Sequence, residues 1–194
     1  EKQNKGFADI TTRQDFQLHW CQTSQLLDIL NKLQTVGVTT RGACGDIARN
    51  IVGCPVAGVD REELIDAGPL VTQASDFFLG NPAFSNLPRK YKISISGCRT
   101  QCPQPEIQCV SFVAIERQAS GQREVGFDLR VGGGLSTQAF FGQRLNAFVR
   151  PEQVVEVLAK VTEIWRDTPE YREKRPHARI KYLVHDWGVS KLRQ

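Results

Sequence analysis

The sequence predicts an α+β domain in which a mixed or antiparallel β-sheet is covered by helices. Three observations carry this. Apolar residues alternate with polar ones through residues 91–95 and 125–131, at the period of a half-buried strand. After Pro151, Val154, Val157, Leu158, Val161 and Trp165 recur at helical spacing. With 194 residues and 40% hydrophobic composition the chain can bury a real core, and no internal repeat or low-complexity tract interrupts it.

Taken in order, Phe7 and Ile10, then Phe16, Leu18 and Trp20 alternating with Asp15, Gln17 and His19, predict two short strands or one bent strand. Thr23 and Ser24 can cap a helix carrying Leu26, Leu27, Ile29, Leu30 and Leu33, which Gly37 stops. Glycines at 42, 45, 53 and 58 leave residues 39–58 as a connection with one helical turn around 47–51. Asp60 then caps a helix led by Glu62 and Glu63, and Pro69 separates it from a turn through Ala74, Phe77 and Phe78. Strands follow at 91–95, 110–115 and 125–131, the last two joined by a turn over 118–123, and Gly132-Gly133-Gly134 ends the third. The helix after Pro151 and another over 179–187 complete the chain, with a segment restarting at Gly188.

No run approaches the length of a membrane span and no charged-then-apolar leader opens the chain. Methionine is absent even at position 1, so the chain reads as an excerpt of a longer polypeptide. A formal charge of +4 without a basic block interleaved with aromatics argues against nucleic acid and for a local anionic ligand. Six cysteines in a core-forming chain without a leader read as reduced thiols of a cytoplasmic protein.

Two stretches put arginine or lysine beside glycine and cysteine at the edge of apolar runs: GACGDIARNIVGCP (42–55) and LPRKYKISISGC (87–98). They are read as two walls of one anion site. Lys90 and Lys92 share one strand face and Arg89 takes the other, an arrangement that suits an anion between the ammonium groups or a solvated strand end. Thr11-Thr12-Arg13-Gln14 offers hydroxyl, guanidinium and amide groups to carboxylate or phosphate oxygens. The triple glycine has neither dinucleotide nor P-loop spacing, and serves a tight turn or the approach of backbone to a flat ligand. Cys98 and Cys102, with Cys44 and Cys54, leave open an iron-sulfur or zinc site, though zinc spacings are missing. No histidine has a nucleophile pattern around it.

ITTRQDFQLHW, GACGDIARNIVGCP, NLPRKYKISISGC and VGFDLRVGGGLS, in this order and through the DWGVSKLR tail, closely resemble the first catalytic half of the sirohaem-containing nitrite and sulfite reductases. The resemblance implies one half of a duplicated fold. It makes residues 1–194 a single sirohaem- and substrate-contacting domain, with 1–20 the end of a preceding ferredoxin-like half-domain and 189–194 the start of the next segment. It also implies six-electron reduction of sulfite at a sirohaem coupled to a [4Fe-4S] cluster, with ferredoxin or a flavoprotein as donor. Nitrite reduction, or tetrapyrrole binding without turnover, is the alternative. Arg49, Lys90 and Lys92 match substrate-anion ligands, the two lysines as proton donors. Thr11, Arg13, Gln17 and Arg89 match contacts to the sirohaem carboxylates. Lys92 stands where nitrite reductases of the plant type tend to carry Asn, which favours sulfite. The cluster ligands are expected beyond this chain, in a later pair of cysteine motifs, and Cys98 and Cys102 occupy the duplicated equivalent of one of them. The implied compartment is the cytoplasm, or the plastid in a photosynthetic eukaryote.

Overall fold

The computed structural model describes residues 7–194. β1 (Ala8–Ile10) and β2 (Phe16–Leu18) form a two-stranded antiparallel sheet, and α1 (Leu26–Thr35) follows. The rest is built on a four-stranded sheet, β3 (Ile93–Ser96), β4 (Val110–Ala119), β5 (Gln122–Val131) and β6 (Gln143–Val149), in that spatial order. β3 runs parallel to β4 and the other pairs are antiparallel, so the sheet is mixed as its sequence predicts. α2 (Gly68–Phe78), α3 (Val154–Arg166), α4 (Glu170–Glu173) and α5 (Ile180–Leu192) complete the fold.

The core lies where α2, α3 and α5 meet the sheet. Tyr91, Ile93, Ile95, Phe112, Phe127, Leu158 and Trp165 are all fully buried. Tyr91 stacks on Trp165 with ring centroids 5.2 Å apart, and its hydroxyl hydrogen-bonds the Thr162 hydroxyl at 3.0 Å. Trp165 donates its indole N–H to the Ala178 carbonyl at 3.0 Å, so its one polar atom is satisfied. Between β4 and β5, Ser120 (φ 52°) and Gly121 (φ 79°) both lie in the left-handed region, as a two-residue hairpin turn requires.

Three expectations are corrected, and one strand is added. Residues 47–51 are extended instead of helical: Ala48 and Val52 bridge Tyr91 and Ser94 in parallel, so this segment runs alongside the β3 approach. Asp60 caps a turn and not a helix, accepting the Glu62 N–H at 2.9 Å, and Glu63 bridges Cys98. Pro69 opens α2 instead of breaking it, because a first-turn residue has no intrahelical N–H bond to lose. β6 was not expected. A register shift in its pairing with β5 and the left-handed Asn146 (φ 51°) break the alternation that would have revealed it. The break at Gly188 is present as a kink inside α5, at φ 70° and ψ 162°. Among the described residues no helix is long and apolar enough to cross a membrane.

Candidate functional site

Extended backbone at 90–92 sorts its side chains by turns. Tyr91 enters the core, while Lys90 and Lys92 emerge together into a cleft of about 690 Å³. The parallel pairing holds this geometry, since the Lys92 carbonyl accepts the N–H groups of Cys109 at 2.9 Å and Val110 at 3.2 Å. Arg13 reaches the same cleft from the β1–β2 turn and Arg179 from the start of α5. Four cations therefore line one cavity, and none of its lining residues is a carboxylate.

Arg13 is clamped. Its guanidinium donates to Gln108 Oε1 at 2.9 Å and to the Asn50 carbonyl, and Asn50 Nδ2 returns a bond to the Arg13 carbonyl at 2.9 Å. Gln108 is itself buried and donates to the Pro103 carbonyl at 3.0 Å. Arg179 is 8% exposed and donates to the Leu135 carbonyl at 3.3 Å and to Cys109 Sγ at 3.5 Å. Both Arg13 Nε and Arg179 Nε are buried with no hydrogen-bond partner. Four cationic side chains around one cavity with no lining carboxylate suit an anionic ligand with several acceptor oxygens. Burial first, then Arg13, Arg179 and Lys90, push the Lys92 ammonium below its ordinary lysine value. Burial likewise lowers Arg13.

The remaining residues matched on sequence are placed differently. Thr11 Oγ1 accepts the N–H groups of Arg13 (3.3 Å) and Asp15 (3.2 Å), which fixes the turn that presents Arg13. Gln17 is exposed on β2, paired with Asp9, and does not line the cleft. Arg89 pairs with Asp46 at 3.4 Å, and Asp46 also pairs with Arg175 at 3.0 Å. Arg49 folds onto its own loop, donating to the carbonyls of Ala43 (2.9 Å) and Gly45 (3.2 and 3.1 Å), and lines a neighbouring cavity of about 160 Å³. The two walls read from sequence do meet, through Arg49 N–H to Tyr91 O at 2.8 Å, but Arg49 and the two lysines occupy different cavities.

Arg179, Gln108 and Lys181 were missed. Lys181 is 2% exposed, yet its ammonium meets the carbonyls of Leu135 (3.0 Å) and Gln138 and the Phe140 and Tyr182 rings in place of a carboxylate. The available signal was the triple glycine. A Cβ on Gly134 would lie 2.6 Å from Arg179 Nη2, so that glycine makes room for a guanidinium and not for a flat ligand. Among the described residues no group of three or more His, Cys, Asp or Glu is arranged to hold a metal ion.

Residues 44–194 match the family described as the nitrite and sulphite reductase 4Fe-4S domain. The chain belongs to this family. It is 40% identical over 190 residues to the assimilatory ferredoxin-dependent nitrite reductase of Haloferax mediterranei, covering 97% of this chain and 32% of that protein. It is 41% identical over 187 residues to a sulfite reductase [ferredoxin] of Mycobacterium tuberculosis, covering 96% of this chain and 33% of that one. The chain thus spans about a third of the length of these curated family members. The solved Mycobacterium tuberculosis NirA protein superposes with a TM-score of 0.88 at 39% identity, over 98% of this chain and 34% of that one. Dissimilatory sulfite reductase I shares the fold at a TM-score of 0.77 and 15% identity, over 98% of this chain and 61% of its own.

Proposed function

We propose that this chain supplies the anion-binding wall of a sirohaem-dependent sulfite reductase that works with a [4Fe-4S] cluster and an electron donor such as ferredoxin or a flavoprotein. The observation that carries this reading is the cleft in which Arg13, Lys90, Lys92 and Arg179 converge with no lining carboxylate. Sirohaem, with eight carboxylates around its iron, fits that donor set, and when bound it supplies the site at which electrons reach the substrate. The residues here do the rest. Arg13 and Arg179, preorganised by Gln108, Asn50 and Leu135, clamp carboxylate oxygens. Lys90 and Lys92 draw a small oxyanion into the cleft and offset the charge that develops on its oxygens.

Lys92 holds a proton at Nζ that burial and neighbouring cations make easier to release, which suits it to protonate an oxygen leaving as water. Arginine is too basic for that role, so Arg49 contributes field and loop order only. Thr11 and Arg89 act in this reading from behind the cleft, through the Arg13 turn and Asp46, and Gln17 is kept as a carboxylate contact on the resemblance alone. Sulfite is preferred because of Lys92, and nitrite is the second reading because family members of both names are equally similar. The expected compartment is the cytoplasm, or the plastid in a photosynthetic eukaryote.

The intact parent protein should show sirohaem absorption bands, and a folded preparation of it without them refutes the proposal. Lys92→Asn should lower sulfite turnover more than nitrite turnover, and equal losses would remove the case for sulfite. Arg179→Met should lower the bound cofactor per chain without unfolding the protein.

A further inference from the structure

Lys181 is 2% exposed, deeper than Arg179 at 8%, yet it does not line the cleft. Burying an ammonium is costly, and an apolar side chain would fill the same space without that cost. Lys181 also lies in the first turn of α5, where a cation opposes the helix dipole, so helix stability does not account for it either. What the ammonium holds is a loop. It donates to the carbonyls of Leu135 (3.0 Å) and Gln138, and it lies 5.5 and 5.0 Å from the ring centroids of Phe140 and Tyr182. Reciprocal bonds between Gly134 and Phe140, at 2.9 and 3.0 Å, close that loop at its base. Inside it, Ser136 at φ 102° is a non-glycine residue in a sparsely populated backbone region, which persists only where its surroundings hold it. Leu135 and Ser136 line the cleft, and the Leu135 carbonyl also accepts Arg179 Nη1 at 3.3 Å. One carbonyl is thus shared by a guanidinium that reaches the cleft and an ammonium that stands behind it.

We propose that Lys181 is a positioning residue, whose ammonium ties the 134–140 loop from within and holds the Leu135 carbonyl where it aims Arg179 into the cleft. This rests on the assignment of the cleft to sirohaem made above. The parts act in series. Gly134 leaves room for the guanidinium, since a Cβ there would lie 2.6 Å from Arg179 Nη2. The Leu135 carbonyl holds one guanidinium nitrogen and Cys109 Sγ, at 3.5 Å, the other. Lys181 in turn fixes the carbonyl. Leu135 and Gln138 are exposed residues, so without the ammonium their carbonyls can turn to water and the fold survives, while Arg179 loses one of its two stops.

The test uses the intact parent protein and Lys181→Met, which keeps the apolar stem and removes the charge. Amide exchange across 134–140 should rise roughly tenfold while β3–β5 holds constant and the urea midpoint stays where it is. The rate of sirohaem loss, followed through its absorption bands, should rise about tenfold in Lys181→Met and at least as much in Arg179→Met. The double variant should lose sirohaem no faster than Arg179→Met alone, because the two residues act through one contact. Lys181→Gln, which keeps two N–H donors on an uncharged stem, should fall between the native protein and Lys181→Met, and it carries the same comparison if Lys181→Met does not fold. Additive losses in the double variant, exchange at 134–140 that ignores the substitution, or exchange that rises everywhere alike would each overturn the proposal. Failure of both Lys181 variants to fold would overturn it too, by making Lys181 a core residue alone. The exchange readout needs no cofactor, so a protein that loosens at 134–140 but shows no sirohaem bands refutes the assignment of the cleft and not the tie.

Discussion

The N-terminal region, 7–38, and the sheet domain behind the cleft show the same sequence signals with opposite outcomes. β3 is buried at all four positions, whereas β1 and β2 are exposed at every one. α3 carries five buried residues, yet α1, with an apolar face as well defined, has none, and Leu26, Leu27 and Leu30 stay exposed. Periodicity therefore identifies an element but not the surface that covers it. What the N-terminal region does have is a polar attachment, in which Arg13 and Gln14 bond Asn50, Gly53 and Gln108. The part of the chain with the least burial is thus the part that hands a cation to the cleft.

The largest test of that contrast is in the apolar cores. Trp165→Ala removes a fully buried, hydrogen-bonded side chain and should cost about 3–5 kcal/mol in urea unfolding. Leu27→Ala on exposed α1 should stay within about 0.5 kcal/mol, and comparable losses would show that α1 is covered after all.

Glycines sharpen the comparison next. Gly134→Ala forces Arg179 out of its place and should cost about 1–3 kcal/mol, with a matching fall in bound anion. Gly37→Ala, which meets nothing within 4 Å at φ +73°, should carry only conformational strain of about 1 kcal/mol. Thermal unfolding of both variants separates packing from strain.

Gln14→Ala unhooks the polar attachment and should cost about 1–2 kcal/mol through two lost hydrogen bonds. Hydrogen exchange should then rise across 8–18 and hold constant in β3–β6. Uniform loosening would make the two regions one cooperative unit.

The smallest effect is one of pH. The folded Lys92 pKa lies below the ordinary value of 10.5, so between the two the unfolded chain binds more protons and stability rises with pH. The deficit of the native protein relative to Lys92→Met should therefore shrink as pH climbs toward 10.5, while affinity for a small oxyanion falls. A deficit independent of pH would refute the depressed value.

Sequence alone established the α+β class, the strands at 91–95, 110–115 and 125–131, the helix after Pro151, and the cationic character of the 87–98 wall. Those features follow from local chemistry: alternation sends Tyr91 one way and Lys90 and Lys92 the other wherever the strand is placed. Tertiary structure decided which cations share a cavity. Arg179 enters beside Lys92 from 87 residues further along the chain, where packing against Gly134 and bonds to the Leu135 carbonyl and Cys109 hold it. Arg49, legible from its motif, is turned onto the Ala43 and Gly45 carbonyls, and Arg89 is drawn to Asp46. β6 and the extended 47–51 segment were hidden for a related reason. Their conformation is set by a bulged register and by bridges to Tyr91 and Ser94, contacts between residues far apart in sequence whose energy no local pattern records.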